Sequence, residues 1–323
     1  MTDKTMQPAL LPPARLRQPG PPARTDMPPP RIHRDEARAV LGGAILVTLY
    51  DQASWSEGPI WWPREATLVW SDIVGRRVLG WREDGAVDVL LDATPFTNGN
   101  AVLPDGTLVH CEHGRRAISR SDGTGVATVI ARHAEGKRLN APNDLIVAAD
   151  GAIWFSDPTF GLENPKQGVP GHSESGRTAI CRIGIDGAAR RMIDMAQPNG
   201  LAFSPDGRIL YASQTPEHGE GEVAIFAFDW NGEALSNRRR LATVAEGFQT
   251  VSRSTGVVGY GAVRVRGGDL QRRRTPSRHR ADTGAVQQLY VRRRSEAIVR
   301  HRRVLPVDAI AALNAHSHGD AME

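Results

Sequence analysis

The chain has 323 residues, 40% of them apolar and including 7 Trp and 7 Phe, enough for one large domain or two ordinary ones with a buried core. Its formal net charge of +4 hides an uneven spread: residues 248–323 hold 14 Arg, no Lys and 6 acidic residues, a net of +8, and residues 1–247 carry a net of −4. No apolar run approaches the roughly 20 residues of a membrane span and no charged-then-apolar leader opens the chain, so no membrane partner and a cytoplasmic location are expected.

Residues 1–45 begin with a Pro- and Arg-rich stretch (PALLPPARLRQPGPPARTDMPPP) and are expected to form a disordered extension, with Met27 as an alternative start. From residue 47 the pattern is all-β. Short strands follow Gly-rich turns, with no helical period. ATLVWSD (66–72), DGTLVHCE (105–112), DGAIWFSD (150–157) and DGRILYAS (206–213) share one plan: a few apolar residues, then small or acidic ones. A second set alternates with them: EDGAVDVLL (83–91), SDGTGVATVI (121–130), IDGAARRMI (185–193) and WNGEALSNRRRLA (230–242). The Asp-Gly pairs supply the positive φ that two-residue hairpins need. One unit of each kind every 40–55 residues or so is the period of a β-propeller blade, and residues 46–247 hold about four. Sandwiches and barrels also use Asp-Gly hairpins, but the fixed alternation of two strand types favours the propeller. The long third interval is explained by an insertion at 161–178, expected to be a loop over one face. Cys111 and Cys181 lie in strand patterns without zinc spacing and are expected to be buried free thiols.

In a propeller the innermost strands surround a central channel, and the turns that open them point into it. Three such turns carry suitable groups: Ser56-Glu57-Gly58-Pro59, Pro142-Asn143-Asp144 and Pro198-Asn199-Gly200. One carboxylate and two amide oxygens are half of an oxygen-ligated cation site. Asn98, His113 and Asp157 are candidates to line the pocket beside it. Each residue has a plainer reading. Glu57 serves as a turn carboxylate, Asn143 and Asn199 as Asx-turns, Asp157 as a strand-end cap, and His113 as a core histidine.

The stretches EGPIWW, FTNGN, HCEHGRR, GKRLNAPNDLIV, IWFSDPTFGL and QPNGLAFSPDGRILYAS together resemble the senescence marker protein/gluconolactonase/luciferin-regenerating-enzyme-like family. The resemblance covers about residues 50–247. It implies a six-bladed propeller that hydrolyses a small-molecule lactone at a divalent metal on the axis, with Glu57, Asn143 and Asn199 as ligands. Ca2+ is the first expectation, with Zn2+, Mg2+ and Mn2+ as alternatives. The metal would polarise the lactone carbonyl or activate a water. No catalytic residue is assigned. Some members place an Arg two residues before the Asn that matches Asn143; this chain has Ala141 there, a departure from the sugar-lactone pattern. The alternative reading is a non-catalytic propeller that serves as an interaction platform.

The family's fourth ligand is an Asp in a Pro-Asp-Gly turn of the fifth blade. No such turn follows Glu246-Gly247. From Phe248 the strands fade, Trp vanishes and Arg takes over, so residues 248–323 read as an aberrant tail. Arg clusters at 272–274 and 292–294 lack the recurring aromatics or fold motif of a nucleic-acid binder, and no nucleic-acid partner is expected. A shifted reading frame accounts for the tail better. Starting at the third base of the Phe248 codon, the printed residues allow PDGF and then VDRRGWVWSS. Starting at the second base of the Val286 codon, they allow CSNFTFGGEAKRLFVT. Both strings look like missing blades five and six. The polypeptide as written is therefore expected to bind metal weakly and to turn over little.

Overall fold

The structure is a computed structural model that describes residues 49–50, 52–216, 222–243, 249–254 and 257–262. The extension over residues 1–45 and the tail beyond residue 262 lie outside the described residues. The first blade contains β1 (Ser56–Trp62), β2 (Thr67–Asp72), β3 (Arg77–Trp81) and β4 (Val87–Leu91). The second contains β5 (Thr97–Val102), β6 (Leu108–Glu112), β7 (Ala117–Ser121) and β8 (Ala127–Ala131). A short hairpin, β9 (His133–Ala134) and β10 (Lys137–Arg138), leads into the third: β11 (Leu145–Val147), β12 (Ile153–Asp157), β13 (Ala179–Ile183) and β14 (Ala189–Asp194). The fourth contains β15 (Pro198–Phe203), β16 (Ile209–Gln214), β17 (Ala224–Trp230) and β18 (Leu235–Thr243).

Each blade is a four-stranded antiparallel meander in sequence order. The first strands β1, β5, β11 and β15 are successive neighbours, so the sheets stand radially about one axis, as in a propeller. The two strand types of the sequence are the second and fourth strands of each blade. The third strands carry no such signature, because no common dipeptide opens them. In the third blade the 161–178 insertion, with a one-turn helix α1 (Phe160–Glu163), separates β12 from β13.

The hairpins differ from the expected two-residue turns. Leu103 closes on Thr107 through its N–H (2.8 Å) and accepts the Gly106 N–H (2.8 Å), so three residues form the loop. Gly106 takes the positive φ of 81° that ends it. The Asp105 carboxylate accepts the Thr107 N–H at 3.0 Å, and Asp84, Asp122, Asp150, Asp186 and Asp206 repeat that bond in their own turns.

Alternate residues of a strand face opposite sides, so a blade between two others is apolar on both faces. Val69 packs with Trp62, Val78, Leu90 and Leu108 between blades one and two, and its neighbour Trp70 joins Leu79 and Val87 on the opposite face. Val109, Cys111, Leu145 and Phe155 fill the next interface, and Trp154, Leu201, Phe203, Phe226 and Phe228 the one after. Trp154 meets Phe203 and Trp230 edge-on, with centroids at 5.4 and 4.8 Å. Cys111 and Cys181 are buried free thiols in these interfaces. Beyond the fourth blade, β19 (Gln249–Ser254) and β20 (Val257–Ala262) form a hairpin, and β19 runs beside β15. The backbone thus continues one hairpin into the region where the sequence pattern fades. Among the described residues, no helix is long and apolar enough to cross a membrane.

Candidate functional site at the inner-strand turns

One irregularity recurs at the start of the inner strands. The register against the second strand slips between Glu57 and Ile60 in β1, between Thr97 and Asn100 in β5, and between Pro198 and Leu201 in β15. Each slip holds a polar residue followed by Gly: Glu57-Gly58, Asn98-Gly99 and Asn199-Gly200. Asn143-Asp144 occupies the same place ahead of β11. A bulge of this kind re-aims a side chain that a regular ladder would send into a blade interface. Ser71, Ser156 and Ser213, all fully buried, brace the turns from the second strands. Ser71 Oγ donates to the Asn98 carbonyl (2.7 Å), Asp144 N–H donates to Ser156 Oγ (3.0 Å), and Gly200 N–H donates to Ser213 Oγ (2.9 Å).

The four turns interlock in order around the axis. Gly58 holds φ 59°, and a Cβ there would lie 2.5 Å from the Asn98 carbonyl oxygen. Asn100 Nδ2 donates to the Gly58 carbonyl at 2.9 Å. Gly99 N–H donates to the Asn143 carbonyl at 2.8 Å, and a Cβ on Gly99 would lie 2.7 Å from that same oxygen. The Asp144 carboxylate accepts the Leu201 N–H at 2.9 Å. Only Gly permits the first two approaches.

Among the candidates, Glu57 is half-buried and its Oε1 accepts from Trp55 Nε1 at 3.4 Å. Asn199 is half-buried, and no hydrogen bond reaches its side chain among the described residues. Asn98, His113 and Asn143 are buried together. The Nε2 of His113 lies 3.2 Å from Asn98 Nδ2 and 3.4 Å from Asn143 Nδ2, and its Nδ1 lies 2.8 Å from the Gln167 carbonyl. Asp157 stands apart from this group. Its oxygens accept the Asn140 N–H (2.9 and 3.0 Å) and the Ala141 N–H (3.1 Å), which holds the segment that leads to Asn143. Within the fold, His113 and Asp157 thus have hydrogen-bonding tasks of their own.

Burial governs the electrostatics. It lowers the His113 pKa to about 4, against the Gln167 bond, which opposes the shift. It lowers His110 to about 4 as well; that ring lies 2.7 Å from both Asn100 Oδ1 and Ser121 Oγ. Burial pushes Asp144 up to about 7, opposed by the Leu201 and Leu145 amides. It pushes Asp157 up to about 7, opposed by the amides of Asn140 and Ala141 and by Arg191 and Arg116. Both histidines are therefore neutral at pH 7.

Among the described residues, no three His, Cys, Asp or Glu side chains gather into a metal cluster. The candidate donors are instead one carboxylate and several amide oxygens. In kind they fit a hard cation such as Ca2+ or Mg2+ and do not suit a soft one. Both nitrogens of His113 already have partners in the fold, which leaves the oxygens as the donor set. Asp144 stood in one of the three turns singled out in the sequence, whereas Gln167 and the bracing serines were not legible as site residues. Aligning the four second strands brings out the serines, as WSD, HCE, FSD and ASQ. Nothing local marks Gln167. A surface cleft of about 490 Å³, bounded by Glu135, Lys137, Arg177 and Arg191, sits at the rim of the third blade.

The model of the SMP-30/gluconolactonase/LRE-like region matches residues 55–251. A gluconolactonase of Zymomonas mobilis is 32% identical over 193 residues, which cover 55% of this chain and 53% of that protein. The chain spans about half the length of this curated relative. The solved gluconolactonase XC5397 of Xanthomonas campestris is 57% identical, covers 74% of this chain and 80% of that one, and superposes with a TM-score of 0.69. A putative gluconolactonase of known structure is 33% identical over 62% of this chain and 69% of its own, with a TM-score of 0.58.

Proposed function

The chain belongs to the SMP-30/gluconolactonase/LRE-like family, and from that premise we propose that it is a lactone hydrolase of the gluconolactonase type, with its centre at the inner-strand turns. The observation that carries this reading is the bulge that recurs at Glu57, Asn98 and Asn199 in three inner strands, together with Asn143 just ahead of the inner strand of the remaining blade. In this reading Glu57, Asn143 and Asn199 hold a divalent cation, Ca2+ first, with Zn2+, Mg2+ or Mn2+ as alternatives. Such an ion supplies Lewis-acid polarisation of the lactone carbonyl or a water of lowered pKa. Glu57 contributes the negative charge. Asn98 lies beside Asn143 and meets the substrate. Asp157 and His113 support that face from below, and no nucleic acid or membrane is involved. The two buried thiols suit a reducing, cytoplasmic setting.

In this reading residues 46–247 form the propeller part, and residues 248–323 are an aberrant Arg-rich tail, the fifth and sixth blades read in a shifted frame. Without a Pro-Asp-Gly turn after Gly247, the second carboxylate of the set is lacking. Weak cation binding and low turnover follow. That absence also favours the second reading, a propeller that binds without catalysis. Acid release from glucono-δ-lactone by the full chain, with added Ca2+ and then with a chelator, tests the proposal. A slow turnover that the chelator and Glu57→Gln both abolish is the expected result. Ca2+ binding with no release of acid above buffer supports the second reading. Undiminished turnover in chelator overturns the cation-centred one.

A further inference from the structure

We infer that His113 is a positioning residue: its Nε2 lone pair turns the amides of Asn98 and Asn143 so that both side-chain oxygens face a ligand. The role assigned to those oxygens rests on the cation-centred reading above; the orientation itself does not.

The chain of hydrogen bonds has one direction. The Gln167 main-chain carbonyl, 2.8 Å from Nδ1, can only accept, so Nδ1 carries the proton. A neutral imidazole protonated there presents a bare lone pair at Nε2. The two groups that approach it, Asn98 Nδ2 at 3.2 Å and Asn143 Nδ2 at 3.4 Å, are both donors. An amide is planar, so a nitrogen aimed at His113 sends its oxygen away from the ring. The main chain leaves little other freedom. Asn143 donates its N–H to the Ser156 carbonyl (3.0 Å) and accepts from Gly99 N–H (2.8 Å), and the Asn98 carbonyl accepts from Ser71 Oγ (2.7 Å). Only the side-chain torsions remain, and His113 sets them. With the proton on Nε2 instead, both amides would have to flip and present NH2 groups where oxygen is needed.

The 161–178 insertion holds the proton in place. A Cβ on Gly161 would lie 2.7 Å from His113 Cβ and 3.0 Å from Ala141 Cβ, and a Cβ on Gly168 would lie 2.1 Å from the Gly161 carbonyl oxygen. These two glycines let the loop close onto the ring and deliver the Gln167 carbonyl. His113 and Gln167 are both almost wholly buried, at 0% and 3% exposure, so water does not compete for the bond. The insertion thus acts on the inner turns through His113 without touching a ligand.

Nitrogen-15 NMR of the full chain and Ca2+ titration of two variants test this. The wild type is expected to show neutral His113 protonated on Nδ1, with hydrogen-bond couplings from the Asn98 and Asn143 amides to Nε2. His113→Asn keeps a donor near Gln167 and loses the Nε2 acceptor; its Ca2+ affinity is expected to fall by about tenfold or more. His113→Gln places an oxygen near the Nε2 position and is expected to recover most of that loss. A proton on Nε2, or unchanged affinity in His113→Asn, overturns the inference. Should the wild type bind no Ca2+, the cation reading falls. The NMR result then decides the role of His113 alone, and an Nδ1 proton with both couplings upholds it.

Discussion

The inner-strand turns and the outer hairpins use the same few residues to opposite ends. Both are built from Asp, Asn and Gly. At the outer hairpins, Asp105, Asp150 and Asp186 accept an N–H two residues on and pair with arginines at the surface, the half-buried Arg182 at 2.8 Å and the exposed Arg190 at 2.6 Å among them. No atom lies within 4 Å of a Cβ built on Gly187. At the inner turns, Gly58 and Gly99 have backbone atoms within 2.7 Å of such a Cβ, and the polar groups bond one another across blades. Surface ion pairs contribute little, whereas buried polar groups are costly to leave unpartnered. Only crowding and burial separate the two regions, and both come from where a turn sits in the ring.

Substitution at the inner glycines breaks this contrast most sharply. Gly58→Ala sets a Cβ 2.5 Å from the Asn98 carbonyl oxygen at φ 59°. A loss on the order of 3 kcal/mol or more is expected in a denaturant melt, with Gly99→Ala close behind.

The next effect is in the pH dependence. A histidine whose folded pKa is about 4, against 6.5 unfolded, binds its proton more weakly when folded. The stability from His110 and His113 is present above pH 6.5 and is lost as pH falls towards 4, on the order of 3 kcal/mol for each group. Asp144 and Asp157, raised to about 7, have the opposite sign: the folded state holds their protons more tightly, and stability falls as pH rises from about 4 to 7. The two trends offset each other in the wild type. Asp157→Asn removes one falling contribution, so its stability is expected to rise from pH 4 to 6.5 relative to wild type. His110→Gln is expected to tilt the profile the other way. Thermal melts across that range check both signs; identical profiles would remove burial as the governing term.

The outer hairpins give the small effects. Gly187→Ala meets no clash and pays only for a φ of 73°, so about 1 kcal/mol is expected. Asp186→Ala breaks a fully exposed pair with Arg190, and no measurable shift in melting is expected. A large loss at Asp186 would dissolve the distinction between the two regions.

Much of the ring was legible in the chain. Two alternating strand types marked the second and fourth strands, and Glu57, Asn143 and Asn199 were placed in turns that open the first. The third strands were not legible, because their entering turns range from the short DIVGRR to the whole 161–178 insertion. Nor was the size of the hairpins, since Asp-Gly serves loops of two or three residues and the closing bond decides between them. Asp157, the last residue of β12, read either as a pocket residue or as a strand-end cap. The structure shows its oxygens on the amides of Asn140 and Ala141, partners that no pattern of side chains announces.

Sequence by itself determined the blade period, the hairpin turns and the identity of the polar residues that open the inner strands, because each is a local matter of φ, side-chain alternation and turn chemistry. Tertiary structure alone decided which of those residues meet. Asn98 and Asn143 come from neighbouring blades, and the carbonyl that sets the His113 proton lies 54 positions further along the chain, in the insertion. Contacts of that range depend on how blades stack about the axis, and a reading of neighbours along the chain does not contain that information.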